Sequence, residues 1–309
     1  MPLFRVIKGD VVPVPQSNFP SEKLLQTLVE RNLAPIFNCR FVASEYPTGA
    51  KHAGRIDTLA LSEDNNPVII EYKKIESSEL VNQSLYYLAW LHDHKGDFAL
   101  AVQRSLGAKV EIDWSDIRVI CIAPNYRKYD LHAVQVMGRN IELWMYRRFD
   151  NDTFYLEEVY PAGGGTEEGD GKNPVMVAAG KKAAATRATA TWTFEKHLEG
   201  KGPAIKDLVL AIQEFILGLS SAIEEAPKKL YVAYRTTQNI VYMEVQKQKV
   251  YLYLKLNPKT NKGPPGLSRD VSDIGHFGTG DLEVTIRSMQ DLEATKPWIL
   301  KAYDALGGS

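Results

Sequence analysis

Apolar and polar positions alternate in two patterned regions, separated by one stretch that has no pattern. Near the start, Phe4–Ile7 and Val11–Val14 read as short strands. Ser21 to Asn32 predicts a helix, with Ser21 as N-cap, Glu22 in the first turn and Leu24, Leu25, Leu28 and Val29 at helical spacing. Phe41–Tyr46, Arg55–Leu61 and Val68–Lys73 predict strands. Ser78 to His92 predicts a helix that continues through a break at Gly96 to Gln103. The unbroken apolar run Ile117–Ala123 suits a central strand buried on both faces. Leu131–Met137 then reads as a helix, and Ile141–Arg147 and Phe154–Val159 as strands. Strands and helices interleaved in this way predict an α/β or α+β mixed sheet flanked by helices on both faces.

The pattern stops at Gly163. From there to Ala190 the chain is rich in Gly, Ala and Thr and has no aromatic residue, which is linker composition. The expected organisation is a domain over 1–162, a linker over 163–191 and a second domain over 192–309. In the second domain, Phe194–Leu198, Ala204–Leu219 and Asp291–Leu306 read as helices. Leu230–Arg235, Ile240–Val245, Val250–Leu256 and Leu282–Ile286 read as strands, giving a small α+β domain.

Composition narrows the class. With 309 residues, 44% hydrophobic and 24% charged, the chain is not of a disordered or collagen-like type. Two cysteines, Cys39 and Cys121, allow one bridge at most and point to a reducing cytoplasm. The first ten residues lack an apolar signal core, and Gln213 and Glu214 interrupt the most apolar helical stretch. A soluble cytoplasmic protein that does not meet a membrane is expected. The net charge is −1, so no global positive field announces a polyanionic partner. Residues 1–162 carry 18 basic and 21 acidic side chains, a local charge of −3.

The strongest chemical signal lies between Gly54 and Gln83. Ser62–Pro67 (SEDNNP) is turn chemistry, and a hairpin folded about its centre pairs residues whose numbers sum to about 128 or 129. Asp57 and Glu71 sum to 128, so they should lie opposite each other with Cβ atoms about 5 Å apart. Alternation puts Lys73 on the same face as Glu71. Two facing carboxylates repel, and one would retain a proton at neutral pH unless a cation lay between them. A divalent ion such as Mg²⁺, with hard oxygen ligands, removes that conflict and activates water against a phosphodiester.

Asp57, 13 intervening residues and then Glu71-Tyr72-Lys73 resemble the PD-(D/E)XK nuclease superfamily. The Gly54-Arg55-Ile56-Asp57 run, the Glu-Tyr-Lys run and the downstream Gln83 resemble its NucS-type branch. The resemblance covers roughly residues 3–160 and implies a restriction-endonuclease-like fold. It implies that Asp57 and Glu71 bind Mg²⁺ or Mn²⁺ together with the backbone carbonyl of Tyr72. It further implies that Lys73 serves the attacking water, that Gln83 supports the site from the following helix, and that Glu22 completes it from the first helix. The superfamily's proline before the first aspartate is Ile56 here.

Other readings stand beside these. An acid in a helix's first turn meets the helix dipole favourably, which explains Glu22 equally well, and Glu30 and Glu45 are rivals for its role. Gln83 shares a helix face with Glu79, Tyr86, Tyr87 and Trp90 and is as readily a bonded core amide. Arg55, Lys74 and Lys51 are weaker candidates for phosphate contacts, with His52 beside Lys51. His92 and His94 make a poor zinc site. The linker cations Lys172, Lys181, Lys182 and Arg187 read mainly as solubilising. In the second domain, Tyr231, Tyr234, Arg235, Tyr242, Tyr251, Tyr253 and Lys255 mix aromatic and basic residues on strands, a surface that can stack bases. The glycine-rich stretch Ile274–Asp281 reads as a loop. Residues from Thr193 onward resemble a small domain of unknown function. The expected activity is metal-dependent endonucleolytic hydrolysis of DNA. The alternative is a catalytically silent nucleic-acid-binding or protein-interaction module that keeps the nuclease fold. A homodimer, and a protein partner engaged through the C-terminal domain, are further open expectations.

Overall fold

The computed structural model describes residues 2–49, 54–76, 79–107, 110–137, 141–159, 192–220, 222–275 and 278–306. It divides into two compact units, one ending at Glu167 and the other beginning at Glu168. The linker expected over 163–191, with its four cations, lies outside the described residues, as do Lys51, His52 and His276.

The first unit opens with a hairpin, β1 (Leu3–Ile7) and β2 (Asp10–Val14), which pair with each other as a two-stranded sheet. Lys8 (φ 53°) and Gly9 (φ 97°) supply the two positive φ values that a tight hairpin turn needs. The short β3 (Gln16–Ser17) leads into α1 (Glu22–Arg31) and α2 (Leu33–Phe37). Ser21 caps α1 as expected, its Oγ accepting from the Leu24 N–H at 3.2 Å. Next come β4 (Arg40–Pro47), β5 (Arg55–Leu61), β6 (Pro67–Tyr72), α3 (Glu79–Asp93), α4 (Lys95–Leu106), β7 (Arg118–Ala123), α5 (Lys128–Met137), β8 (Ile141–Phe149) and β9 (Phe154–Glu158).

The main sheet runs β3-β8-β7-β6-β5-β4, with β9 also paired to β8. β6, β7 and β8 are parallel neighbours, whereas β4, β5 and β6 form an antiparallel meander. Every residue of β7 is buried: the apolar run Val119–Ala123, and Arg118 at its start. Alternation divides the strands between two cores. Leu59, Leu61, Ile69, Val119 and Cys121 pack with Leu80, Leu91 and Phe98 of α3 and α4. Ala60, Val68, Ile70, Tyr72 and Ile120 pack with Leu25, Val29 and Phe37 of α1 and α2. This mixed sheet with helices on both faces is the restriction-endonuclease-like arrangement expected from the sequence. Where β7 and β8 begin, Arg118 and Glu142 form a buried bidentate pair at 2.8 and 3.0 Å, and Glu142 also accepts from the Trp144 indole.

The helix expected to break at Gly96 breaks instead at His94, and α4 starts with Gly96 in its first turn. His94 donates its backbone N–H to Trp90 O and stacks on the Trp90 ring at 4.9 Å, while His92 lies exposed.

The second unit contains α6 (Phe194–Leu198), α7 (Pro203–Leu219), β10 (Glu224–Pro227), β11 (Val232–Arg235), β12 (Asn239–Val245), β13 (Val250–Leu254), β14 (Ser268–Asp270), β15 (Leu282–Ile286) and α8 (Met289–Ala305). Its sheet is antiparallel throughout, in the order β10-β11-β12-β13-β15-β14. One face packs Val241, Leu252 and Val284 against Val209, Ile212, Ile216 and Ile299 of α7 and α8. The other face holds Tyr242 and Tyr253 in a smaller cluster with Val271, with Tyr231 and Tyr251 packed against it. Among the described residues, no helix is long and apolar enough to cross a membrane.

Candidate active site

The β5–β6 hairpin has the register read from its turn. Thr58 pairs with Ile70, Leu59 with Ile69 and Ala60 with Val68, each pair summing to 128. The next pair in that register is Asp57 with Glu71. There side chains take the place of backbone partners. The Asp57 N–H donates to Glu71 Oε1 at 3.0 Å, and the Tyr72 N–H donates to Asp57 Oδ2 at 3.0 Å. The two carboxylates are therefore fixed by backbone donors on adjacent strands.

Their surroundings are nearly dry. Glu71 is fully buried, and Asp57 is partly buried. Burial, opposed mainly by the Tyr72 N–H and the charge of Lys73, pushes the Asp57 carboxyl up to about 6. Burial, followed by the charge of Asp57, pushes Glu71 well above its ordinary range. Glu22 raises both through its own charge.

The structure brings together every main candidate. From α3, the Gln83 amide donates to Glu71 Oε2 at 3.1 Å and to the Tyr87 hydroxyl at 3.2 Å. That hydroxyl also accepts from the Arg55 N–H at 3.2 Å, so Tyr87 ties the start of β5 to Gln83. Lys73 follows β6, its N–H on Ile122 O at 2.9 Å and its ammonium 3.5 Å from Glu22 Oε1. Glu22 Oε2 accepts from the Lys74 N–H at 3.1 Å, so Glu22 faces the strand end rather than only its own helix.

The weaker candidates are otherwise engaged. Arg55 pairs with Glu45 at 2.7 Å, and the Lys74 ammonium bonds Pro20 O at 2.9 Å. Glu30 accepts from Thr58 Oγ1 at 2.7 Å, and Glu45 accepts from Lys23 at 2.9 Å.

Sequence reasoning missed Gln26. This buried side chain of α1 donates to Asp57 O at 2.7 Å, Glu30 Oε1 at 3.0 Å and Ser44 Oγ at 3.2 Å. Its signal was a single amide inside the apolar stripe between Leu25 and Val29. Among the described residues, no group of three His, Cys, Asp or Glu side chains is placed to hold a metal ion. The oxygen donors that converge are those of Asp57 and Glu71, a hard pair of the kind Mg²⁺ or Mn²⁺ accepts.

Fold and sequence together define a restriction-endonuclease-like unit joined to a second, α+β domain. Residues 194–305 match a domain of unknown function (DUF5655). A Haemophilus influenzae protein described as uncharacterized is 30% identical over 299 residues, covering 95% of this chain and 96% of that protein. The chain belongs to the same family as that protein. Two solved structures show fainter likeness. An EndoMS–dsDNA complex is 20% identical with a TM-score of 0.30, covering 40% of this chain and 44% of its own. A repair endonuclease from Pyrococcus abyssi is 19% identical with a TM-score of 0.23, covering 42% and 48%. The present chain thus spans less than half of either solved chain, and its fold assignment rests on its own sheet order and helix placement.

Proposed function

We propose that the first unit is a metal-dependent nuclease that hydrolyses phosphodiester bonds of DNA. The observation that carries this reading is the buried Asp57–Glu71 pair, held by backbone donors and raised in pKa by burial. Such a pair is costly unless a divalent ion occupies it. Asp57 and Glu71, with the Tyr72 carbonyl, would hold Mg²⁺ or Mn²⁺, and the ion would supply an activated water and a counter-charge for phosphate. Gln83 fixes the Glu71 carboxylate. Lys73, poised on Glu22, would offset negative charge developing on the phosphate or steer the water. Arg55 and Lys74 would reach phosphates only after leaving Glu45 and Pro20.

The test is divalent-dependent cleavage of single-stranded, mismatched and branched DNA, with Glu71→Ala as control. Cleavage should vanish in the control, and cleavage that survives there refutes the assignment. A second reading, a silent binding module, draws support from the hydrogen bonds that already occupy both oxygens of Glu71 and one of Asp57. It predicts nucleic-acid binding that is salt-dependent and indifferent to metal. Calorimetric titration with Mn²⁺ separates the two, since only the nuclease reading expects binding that Glu71→Ala abolishes.

A further inference from the structure

Ser62 donates its N–H to Asn66 O at 2.9 Å, so the bonded rungs of the β5–β6 hairpin fall at Ala60 and Thr58. Alternation then turns the Asp57 N–H and C=O the other way, toward β4. By register the residue opposite is Glu45, and Glu45 takes φ 53°, a left-handed conformation that turns its peptides out of line with the ladder. The β4–β5 pairing accordingly passes from Ser44–Thr58 to Tyr46–Ile56. Side chains take both Asp57 backbone groups instead. Its N–H donates to Glu71 Oε1 at 3.0 Å, and its C=O accepts from the Gln26 amide at 2.7 Å.

Gln26 belongs to a polar stripe on α1. Glu22, Gln26 and Glu30 recur every four residues and so lie on one helix face. Glu22 reaches Lys73 and the Lys74 N–H beyond β6, Gln26 reaches Asp57 on β5, and Glu30 reaches Thr58 Oγ1 at 2.7 Å. Leu25 and Val29, both fully buried, fasten the same helix to the core. The Gln26 side chain is 3% exposed, and its own carbonyl accepts from the Lys23 ammonium at 3.0 Å. An amide held in this way is a fixed donor, and the Asp57 carbonyl that it satisfies has lost its strand partner.

We propose that Gln26 is a positioning residue: it replaces the missing β4 partner of Asp57 and thereby sets where the Asp57 carboxylate stands against Glu71. One carboxylate oxygen rests on the Tyr72 N–H, and the rest of the side chain follows its own peptide. Releasing the C=O frees that peptide to rotate and the two acids to separate. Sites that clamp a cation or a reacting group depend on close placement of this kind. The consequence for a bound cation rests on the nuclease reading; the mechanical role does not.

The experiment is native-state amide exchange on the full chain in chelator, followed by calorimetry with Mn²⁺. Gln26→Met keeps the length of the side chain and removes the donor. Exchange at Asp57 and Tyr72, whose N–H groups meet the two carboxylates, should quicken by at least about tenfold beyond any change at Val119 and Ile120 in β7. Gln26→Asn keeps a buried amide but falls one methylene short, and should give the same excess. Val102→Ala, a core truncation on α4, should quicken exchange without that excess. Mn²⁺ should bind the parent chain about tenfold more tightly than either Gln26 variant. The proposal is overturned if exchange at Asp57 and Tyr72 changes no more than in β7 in both Gln26 variants, if Val102→Ala shows an equal excess, or if neither Gln26 variant lowers the parent's Mn²⁺ affinity. A parent chain that binds no Mn²⁺ refutes the nuclease reading; an excess at Asp57 and Tyr72 then still supports the positioning role, and its absence still overturns it.

Discussion

Replacing Asp57 by asparagine should stabilise the metal-free protein at neutral pH while abolishing its affinity for divalent cations. Burial holds the Asp57 carboxyl at about 6 in the folded chain, whereas an unfolded aspartate ionises near 4. Between those values the folded state binds more protons than the unfolded state, so stability falls as pH rises through that window. Below about pH 4 both states are protonated and the penalty is absent. Above about pH 6 it acts in full, and a rise of about two pH units corresponds to about 3 kcal/mol. Asparagine carries no charge at any pH, and its carbonyl can still accept the Tyr72 N–H, which now donates at 3.0 Å. Urea unfolding in chelator should therefore show Asp57→Asn more stable by about 2–3 kcal/mol at neutral pH, with the gain fading toward pH 4. Mn²⁺ should close that gap. At a hundred times its Kd it adds about 2.7 kcal/mol to the native protein and nothing to the variant. A variant no more stable than the parent at neutral pH, or a gain that persists unchanged at pH 4, refutes the reasoning.

Two packing predictions accompany it. Gly54→Ala would place a Cβ 2.9 Å from the Tyr87 ring and hydroxyl, so the melt should fall by the equivalent of about 1–3 kcal/mol, and an unchanged melt counts against the contact. Arg118→Leu strands the buried Glu142 and should cost about 3–5 kcal/mol in denaturant unfolding. The Arg118→Leu/Glu142→Leu pair should recover most of that loss, and a double variant as unstable as the single one would show the pair is not the cause.

The hairpin that carries Asp57 and Glu71 was legible because its information is local: one turn and two short alternating runs fix the register. The site's other contacts join distant parts of the chain. Glu22 reads equally well as a helix-dipole residue, and only the fold shows it on Lys73 and the Lys74 N–H. Gln26 is a single polar residue in an apolar stripe, invisible until Asp57 O is placed above it. Glu45 sits at φ 53° inside a strand that periodicity reads as regular, and there the ladder passes from Ser44–Thr58 to Tyr46–Ile56. α2 is one short turn containing Pro35, and β10 and β14 are too short for alternation to register.

The hairpin also bears on the order of folding. Asp57 and Glu71 are 14 positions apart, whereas the parallel pairing of β6 with β7 joins Glu71 to Cys121 across 50. Local contacts close first, so the carboxylates meet while still hydrated and inexpensive to ionise. Their charge becomes costly only when α3 docks and β7 inserts beside β6. The late, water-expelling step thus carries the electrostatic burden. Proton concentration, or a cation captured by the half-formed hairpin, would set how fast the chain completes its core.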